Sequence, residues 1–173
     1  METVTLELIG AANAQIFKNL YPLYLHDLSA YQDDARPNQH GILESDDSAT
    51  LEQQMLGYDY WLSDPLLHSF LIRVAGRPAG FALVTTPAYA PNQAYSELHE
   101  FFLLHAFRAR GLGGQAAQLA FATAPGVWIL RVLPRNEPAL RFWRKTLPAL
   151  SSDLRESFGE DEMVRLEFDT RSR

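Results

Sequence analysis

A segment rich in glycine and arginine joins an apolar stretch to a helical pattern near the middle of the chain. Residues 99–115 read HEFFLLHAFRARGLGGQ, and we call residues 108–114 (RARGLGG) the glycine turn. Backbone N–H groups in such a turn point outward, and the N-terminus of the following helix adds a positive partial charge. The pattern therefore predicts a site for the phosphate groups of a cofactor, and it favours a functional role for the two arginines over that of solvated surface charges.

The residues of the glycine turn argue against two other kinds of phosphate site. The spacing of the glycines does not fit the Gly-x-Gly-x-x-Gly pattern of dinucleotide-binding folds. No Lys-Ser or Lys-Thr pair follows the turn, which argues against a nucleoside-triphosphate loop.

Three ionisable residues lie on the strand that leads into the glycine turn: Glu97, His99 and Glu100. Strict alternation along a strand predicts that Glu97 and His99 share one face with Phe101 and Leu103, with Glu100 on the other face. A bulge in the strand would re-aim Glu100. The alternative is that all three are polar residues of an edge strand, satisfied by neighbours or by solvent.

Periodicity and turn residues divide the chain into strands and helices. The predicted strands cover residues 3–9, 68–75, 79–86, 96–104, 127–133, 151–158 and 162–168, and the predicted helices cover residues 12–31, 51–62, 113–124 and 136–147. Pro22 predicts a kink or two short helices, and the polar residues 32–48 predict a loop. Strand–helix–strand–helix order in the second half predicts one parallel strand pair in an otherwise antiparallel sheet, which is a mixed α/β fold.

Length and composition favour a single domain over residues 1–173. Of the 173 residues, 47% are hydrophobic and 21% charged, and the net charge of −6 argues against general affinity for nucleic acid. The absence of cysteine excludes disulfides and a cysteine nucleophile, and the five histidines lack metal-ligand spacing, so no metal site is expected. No signal peptide or membrane-spanning run is evident, and we expect a cytoplasmic protein without a membrane partner.

Two motifs in the second half of the chain resemble those of one enzyme family. Residues 108–113 (RARGLG) match the Gln/Arg-x-x-Gly-x-Gly/Ala motif of the GCN5-related N-acetyltransferases. Asn136, Ala139 and Phe142 match the second signature of that superfamily, an Asn-x-x-Ala-x-x-aromatic helix after the fifth strand. The predicted order of elements agrees with the family over nearly the whole chain, so the chain is identified as a member from its sequence.

The resemblance implies direct transfer of an acetyl group from acetyl-CoA to a primary amine of a small-molecule acceptor. It implies a mostly antiparallel sheet, flanked by helices, whose central parallel strands splay apart beside the pantetheine arm. The Leu103 amide would polarise the thioester carbonyl. The implied cofactor-binding residues are Leu103, Leu104, Arg108, Ala109, Arg110, Gly111, Leu112, Gly113, Gly114 and Asn136.

The resemblance also directs attention to the acid and the base. Related polyamine acetyltransferases have a carboxylate where this chain has His99, and imidazole can do the same work because it titrates near neutral pH. We expect His99 to be the base, with Glu97 next and Glu100 after it. The family's acid is a tyrosine at the position of Trp143; here either the thiolate leaves without an acid or another tyrosine (Tyr58, Tyr60, Tyr89 or Tyr95) reaches the sulfur.

Several alternatives remain open at the level of sequence. The chain could be a non-catalytic acyl-CoA-binding module of the same fold, an alternative that Trp143 favours. It could also be a generic nucleotide-binding α/β protein. Acidic residues of the first helices and loop either attract a cationic acceptor or are simply solvated: Asp27, Asp33, Asp34, Glu44, Asp46 and Asp47. The chain is expected to be a monomer or a homodimer.

Overall fold

Seven β-strands form one sheet in the computed structural model, which describes residues 2–45 and 47–172. The strands are β1 (Val4–Leu8), β2 (Leu67–Val74), β3 (Arg77–Thr85), β4 (Ser96–Leu103), β5 (Val127–Val132), β6 (Arg155–Phe158) and β7 (Val164–Asp169). Their order across the sheet is β1-β2-β3-β4-β5-β7-β6. All neighbouring strands are antiparallel except β4 and β5, which are parallel. This arrangement confirms the predicted mixed α/β fold.

Helices cover both faces of the sheet. They are α1 (Ala14–Ser29), α2 (Leu51–Leu56), α3 (Tyr60–Ser63), α4 (Leu112–Phe121) and α5 (Glu137–Thr146). One apolar core joins the sheet to α4 and α5 and includes Ala116, Phe121 and Trp143. The second core joins the opposite face to α1, α2 and α3 around Phe17 and Phe81.

The first helix is continuous although Pro22 lies inside it. The sequence-based alternative of two short helices is therefore wrong. Pro22 removes one backbone hydrogen bond, but buried residues on both sides of it, among them Phe17 and Leu25, pack into the same core. Tertiary packing thus holds the two halves of α1 in one helix.

The helix predicted over residues 51–62 is divided into α2 and α3. Thr50 begins α2 with a capping box, in which Thr50 and Gln53 satisfy each other's backbone N–H groups. Gly57 ends it, and its N–H donates to the Gln54 carbonyl at 3.1 Å. The apolar periodicity continued through this break, because both pieces bury residues in the same core.

The remaining differences are at the ends of elements. The hairpin between β2 and β3 turns at Ala75 and Gly76, whose φ angles of 48° and 78° suit a tight two-residue turn. The last predicted strand pair is shorter than expected, since β6 begins at Arg155 rather than at residue 151. Among the described residues, no helix is long and apolar enough to cross a membrane.

Candidate active site

The parallel strands β4 and β5 pair over only a short distance. Their paired residues are Ser96 with Trp128 and Glu97 with Ile129, after which β4 continues to Leu103 and β5 continues to Val132. We call the opening between residues 98–103 of β4 and 130–132 of β5 the β4–β5 cleft. An opening in the middle of a sheet exposes backbone groups that a ligand can bind.

The amide of Leu103 faces this cleft. The Leu104 N–H donates to the Ala79 carbonyl of the neighbouring β3 side at 2.8 Å. Because backbone groups alternate in direction along an antiparallel strand, the Leu103 N–H points away from β3 and toward β5. This direction suits a donor to a ligand carbonyl.

The backbone of Leu104 is already engaged within the protein. Its N–H is bonded to Ala79, and its carbonyl accepts from the Phe107 N–H at 2.9 Å. The Leu104 N–H is therefore occupied within the protein, whereas the Leu103 N–H faces the cleft. Gly80 keeps β3 close to this point, since a Cβ on it would lie 1.9 Å from the Phe102 carbonyl oxygen.

The glycine turn has the backbone geometry of an anion site. Ala109 and Gly111 have φ angles of 58° and 77°, and α4 begins directly after Gly111. Gly111 has no side chain to cap the helix, so the first N–H groups of α4 remain open toward the turn. Gly113 lies against the Phe142 ring and the Leu103 side chain, where an added Cβ would come within 3.1–3.2 Å of both.

The two arginines of the glycine turn bond to the protein itself. The Arg108 Nε donates to the Leu103 carbonyl at 2.6 Å, and its Nη2 lies 2.5 Å from Asp27 Oδ2. Arg110 forms an ion pair with Glu2. Arg108 therefore supports the backbone at the start of the turn.

Asn136 caps α5, as its position before Pro138 suggests. Its side-chain oxygen accepts from the Ala139 N–H at 3.1 Å, and Glu137 and Pro138 occupy the first turn of the helix. The second signature thus begins at a helix start that its own residues specify.

The strand β4 contains an irregularity that changes which side chains share a face. Leu83 is opposite Glu100 and Val84 is opposite Leu98, so His99 is an extra residue without a partner of its own. Leu98 and Phe101 consequently pack into the same core. The expected alternation of Glu97 and His99 with Phe101 and Leu103 is therefore wrong, because the bulge shifts the pattern by one residue.

Glu97 is held in an ion-paired network. Its carboxylate is buried and binds the Arg131 guanidinium, whose Nε also lies 3.1 Å from Asp161 Oδ2. A carboxylate that is already bonded to a guanidinium is a poor acceptor for a substrate proton.

His99 lies beside this network and against an aromatic ring. Its Nδ1 is 4.0 Å from Glu97 Oε1, and its ring centroid is 5.2 Å from that of Trp61. Partial burial lowers the pKa of His99; the Glu97 charge opposes this shift and the Arg131 charge adds to it. The imidazole is therefore mainly neutral at pH 7.

The surroundings of Glu100 raise the pKa of its carboxyl group into the neutral range. Burial, aided by the charges of Glu44 and Glu97, raises its pKa from the ordinary 4.5 to about 7, although a hydrogen bond from the Tyr24 hydroxyl acts in the opposite direction. A carboxyl group that titrates near neutral pH is suited to general acid–base chemistry.

Sequence reasoning missed the partners of Glu100. Tyr24 lies on α1, 76 residues before Glu100, and its own pKa is raised by burial and by the Glu100 charge. Tyr21 and Tyr58 extend this cluster, with ring centroids 4.2 Å apart. The only sequence signal was the spacing of aromatic residues on the first helix, which equally fits an ordinary core face.

Trp143 packs as a core residue. Its ring centroid lies 4.6 Å from that of Phe142 and 5.2 Å from that of Phe101, and only 5% of the residue is exposed. This packing accounts for the tryptophan without a role in proton transfer. Within residues 2–45 and 47–172, no three histidine or acidic side chains gather in a way that could hold a metal ion.

The acidic residues of the first helices and loop are spread over several environments. Asp27 pairs with Arg108, Asp33 pairs with Arg135, and Asp34 and Glu44 line one surface cavity. Asp46, which the sequence also singled out, lies outside the described residues.

Comparison with known families decides the identity of this fold. The sequence model of the "Acetyltransferase (GNAT) family" matches residues 20–147, about three quarters of the chain. The chain belongs to this acetyltransferase family. The match includes most of α1, the whole of β4, the glycine turn and Asn136. The resemblance read from the two motifs and the prediction of an acetyltransferase are confirmed.

Solved structures of GNAT acetyltransferases share the fold. An acetyltransferase from Thermus thermophilus is 18% identical, with a TM-score of 0.68 over 98% of this chain and 99% of that one. The PaiA N-acetyltransferase from Thermoplasma acidophilum, in complex with coenzyme A, is 10% identical (TM-score 0.63; 96% and 99% covered). The spermidine N-acetyltransferase from Vibrio cholerae, in complex with CoA and spermine, is 13% identical (TM-score 0.62; 98% and 96% covered). No curated protein sequence matches the chain significantly.

The raised pKa of Glu100 predicts a pH-dependent stability. The pKa is about 7 in the folded protein against an ordinary 4.5. At pH values above 7, the ionised Glu100 therefore lowers the free energy of unfolding. At pH values below 4.5, Glu100 is protonated in both the folded and the unfolded state and has no such effect. At 1.36 kcal/mol per pKa unit, the reduction above pH 7 is about 3 kcal/mol. Glu100→Gln should therefore leave the free energy of unfolding nearly unchanged at about pH 4 and raise it by up to about this amount at about pH 8.

Urea denaturation of both proteins at each pH measures the difference. Glu52→Gln, which neutralises an exposed glutamate of α2, is the matched control and should show no such trend. A Glu100→Gln effect that is the same at the acidic and the alkaline pH would contradict the raised pKa.

Proposed function

We propose that this protein transfers the acetyl group of acetyl-CoA directly to the primary amine of a small, positively charged acceptor. One observation carries the proposal: a carboxylate that titrates near pH 7 lies on the strand whose open edge leads into an anion-binding turn. This combination provides a proton acceptor, a free backbone donor and a phosphate site on one continuous segment.

The donor would lie along the β4–β5 cleft. The open N–H groups at the start of α4 and in the glycine turn suit the diphosphate of CoA. The amide of Leu103 suits the thioester carbonyl, and Asn136 lies at the helix start on the far side of the cleft. Two structural relatives form complexes with CoA, which supports CoA as the carrier of the donor group.

Glu100 would serve as the general base. A primary amine is mostly protonated at neutral pH and must lose a proton before it attacks. Glu100 accepts that proton, the amine nitrogen forms a bond to the acetyl carbon, and the Leu103 N–H stabilises the negative charge that develops on the carbonyl oxygen. The C–S bond then breaks and its electron pair leaves with the sulfur. The nitrogen loses its second proton, which the departing thiolate takes up, so the products are the amide and CoA with a free thiol. The chain has no cysteine that could carry the acetyl group in between.

The surroundings of Glu100 favour a positively charged acceptor. Glu44 is close enough for its charge to raise the pKa of Glu100, and it lines a surface cavity of about 470 Å³ together with Asp34. The partly exposed ring of Tyr58 lies 4.2 Å from that of the buried Tyr21, and the faces of tyrosine rings attract cations. The spermine bound to the Vibrio cholerae relative is a molecule of this chemical kind.

A charge in the glycine turn should prevent binding of the donor. Gly111→Glu adds a carboxylate where the phosphates would lie, so the dissociation constant for CoA in calorimetric titration should rise at least about tenfold. Gly76→Glu is the matched control, because Gly76 has almost the same φ angle (78° against 77°) and equally open surroundings in the β2–β3 turn. Equal CoA affinities of the two variants would contradict the assigned donor site.

The identity of the base can be read from the pH dependence of acetylation. The wild-type rate should rise with pH through about 7, because Glu100 acts only when deprotonated. We call this rise the acidic limb of the pH profile. Glu100→Gln should lower kcat/KM by about 100-fold or more and remove the acidic limb, whereas His99→Gln should keep it. If the limb persists in Glu100→Gln and disappears in His99→Gln, the base is His99.

The charge of the acceptor can be tested at Glu44. Glu44→Gln should raise the KM of a diamine several-fold more than that of a monoamine, since Glu44 would face the second ammonium group. It should also move the acidic limb to lower pH, because the Glu44 charge raises the pKa of Glu100. Glu52→Gln removes an exposed charge from α2 and should change neither value. Equal KM changes for both amines would contradict the acceptor assignment.

A further inference from the structure

Arg108 connects three parts of the protein around the end of β4. Its Nε donates to the Leu103 carbonyl at 2.6 Å, its Nη2 lies 2.5 Å from Asp27 Oδ2, and its guanidinium carbon lies 5.6 Å from the centroid of the Phe102 ring. These contacts fix the guanidinium in one orientation. The carbonyl that it holds belongs to the residue whose amide faces the β4–β5 cleft.

Asp27 is the far partner in this arrangement. It lies on α1, 81 residues before Arg108, and only 26% of its side chain is exposed. Without Asp27, the Arg108 side chain would be free to swing away from Leu103, because no other carboxylate among the described residues pairs with it. His105 also lies 3.3 Å from both Asp27 and Arg108, but its side chain is mostly exposed.

The turn of α1 that contains Asp27 also contacts Glu100, the proposed base. Tyr24 precedes Asp27 by three residues, so the two side chains leave the same face of the helix. Tyr24 donates to Glu100, and Asp27 binds Arg108, which in turn binds the Leu103 carbonyl. The helix therefore contacts Glu100 inside β4 and Arg108 five residues beyond the end of β4.

We propose that Asp27 is a positioning residue, which through Arg108 fixes Leu103 and the start of the glycine turn relative to Glu100. This inference rests on the proposed function. The distance between base and donor is then set by one rigid helix rather than by a flexible turn. Small displacements of reacting groups cost much rate, so loss of this contact should affect catalysis before it affects folding.

Asp27→Asn tests the proposal, because it removes the charge and keeps the shape. We expect the dissociation constant for CoA to rise about fivefold and kcat to fall about tenfold, with the KM of the amine and the melting temperature nearly unchanged. Asp27→Glu keeps the carboxylate and should restore part of both losses. Glu156→Gln is the control, since it breaks a two-pronged pair with Arg144 at the sheet edge formed by β6.

The outcomes separate this inference from the function on which it rests. A wild-type protein that binds no CoA overturns both. A wild-type protein that binds CoA and acetylates amines, with an Asp27→Asn variant that matches Glu156→Gln in CoA affinity and kcat, overturns the role of Asp27 alone. A fall in melting temperature with equal losses in every kinetic constant also overturns it, because that pattern indicates a structural role.

Discussion

The end of pairing between β4 and β5 is the constraint on which the rest of the site depends. Parallel strands in the centre of a sheet normally satisfy each other's backbone groups, and here they do so at two residue pairs only. Beyond Glu97, β4 is held from one side by β3, with Gly80 allowing close contact. The opposite edge is left open, and the Leu103 amide lies on it. A closed sheet in this position would be more regular but would offer no backbone donor to a ligand.

The bulge at His99 decides the direction in which the Glu100 side chain points. Because one residue is added to the strand, Glu100 turns toward α1 while Phe101 enters the core beneath α5. Glu100 is thereby partly buried beside Tyr24. Its removal from water and the Glu44 charge raise its pKa to about 7. The fold is less stable at neutral pH as a result, but it gains a proton acceptor that titrates in the useful range. Glu97, three residues earlier, has its carboxylate occupied by an ion pair with Arg131.

The first helix links the two sides of the proposed reaction. Its buried face anchors it to the sheet through Phe17 and Leu25, and its next turn contacts Glu100 and Arg108. A helix fixed by a large apolar core moves little, so polar contacts made from it are well defined. This explains how a mostly exposed glycine turn can be held at a fixed distance from the partly buried Glu100 carboxylate on β4.

The sequence by itself determined the family, the mixed sheet and the position of the glycine turn. These depend on contiguous residues: glycine at a left-handed φ in residue 111, an asparagine cap at residue 136, and strand and helix periods in the second half. The tertiary structure alone decided the bulge at His99, the burial of Glu100, the continuity of α1 across Pro22 and the contact of Asp27 with Arg108. Each of these depends on residues that are far apart in the chain, because a pKa and a strand register are set by whatever packs against them in space. Local pattern therefore located the strand that contains the ionisable residues, and long-range packing raised the pKa of one of them, Glu100.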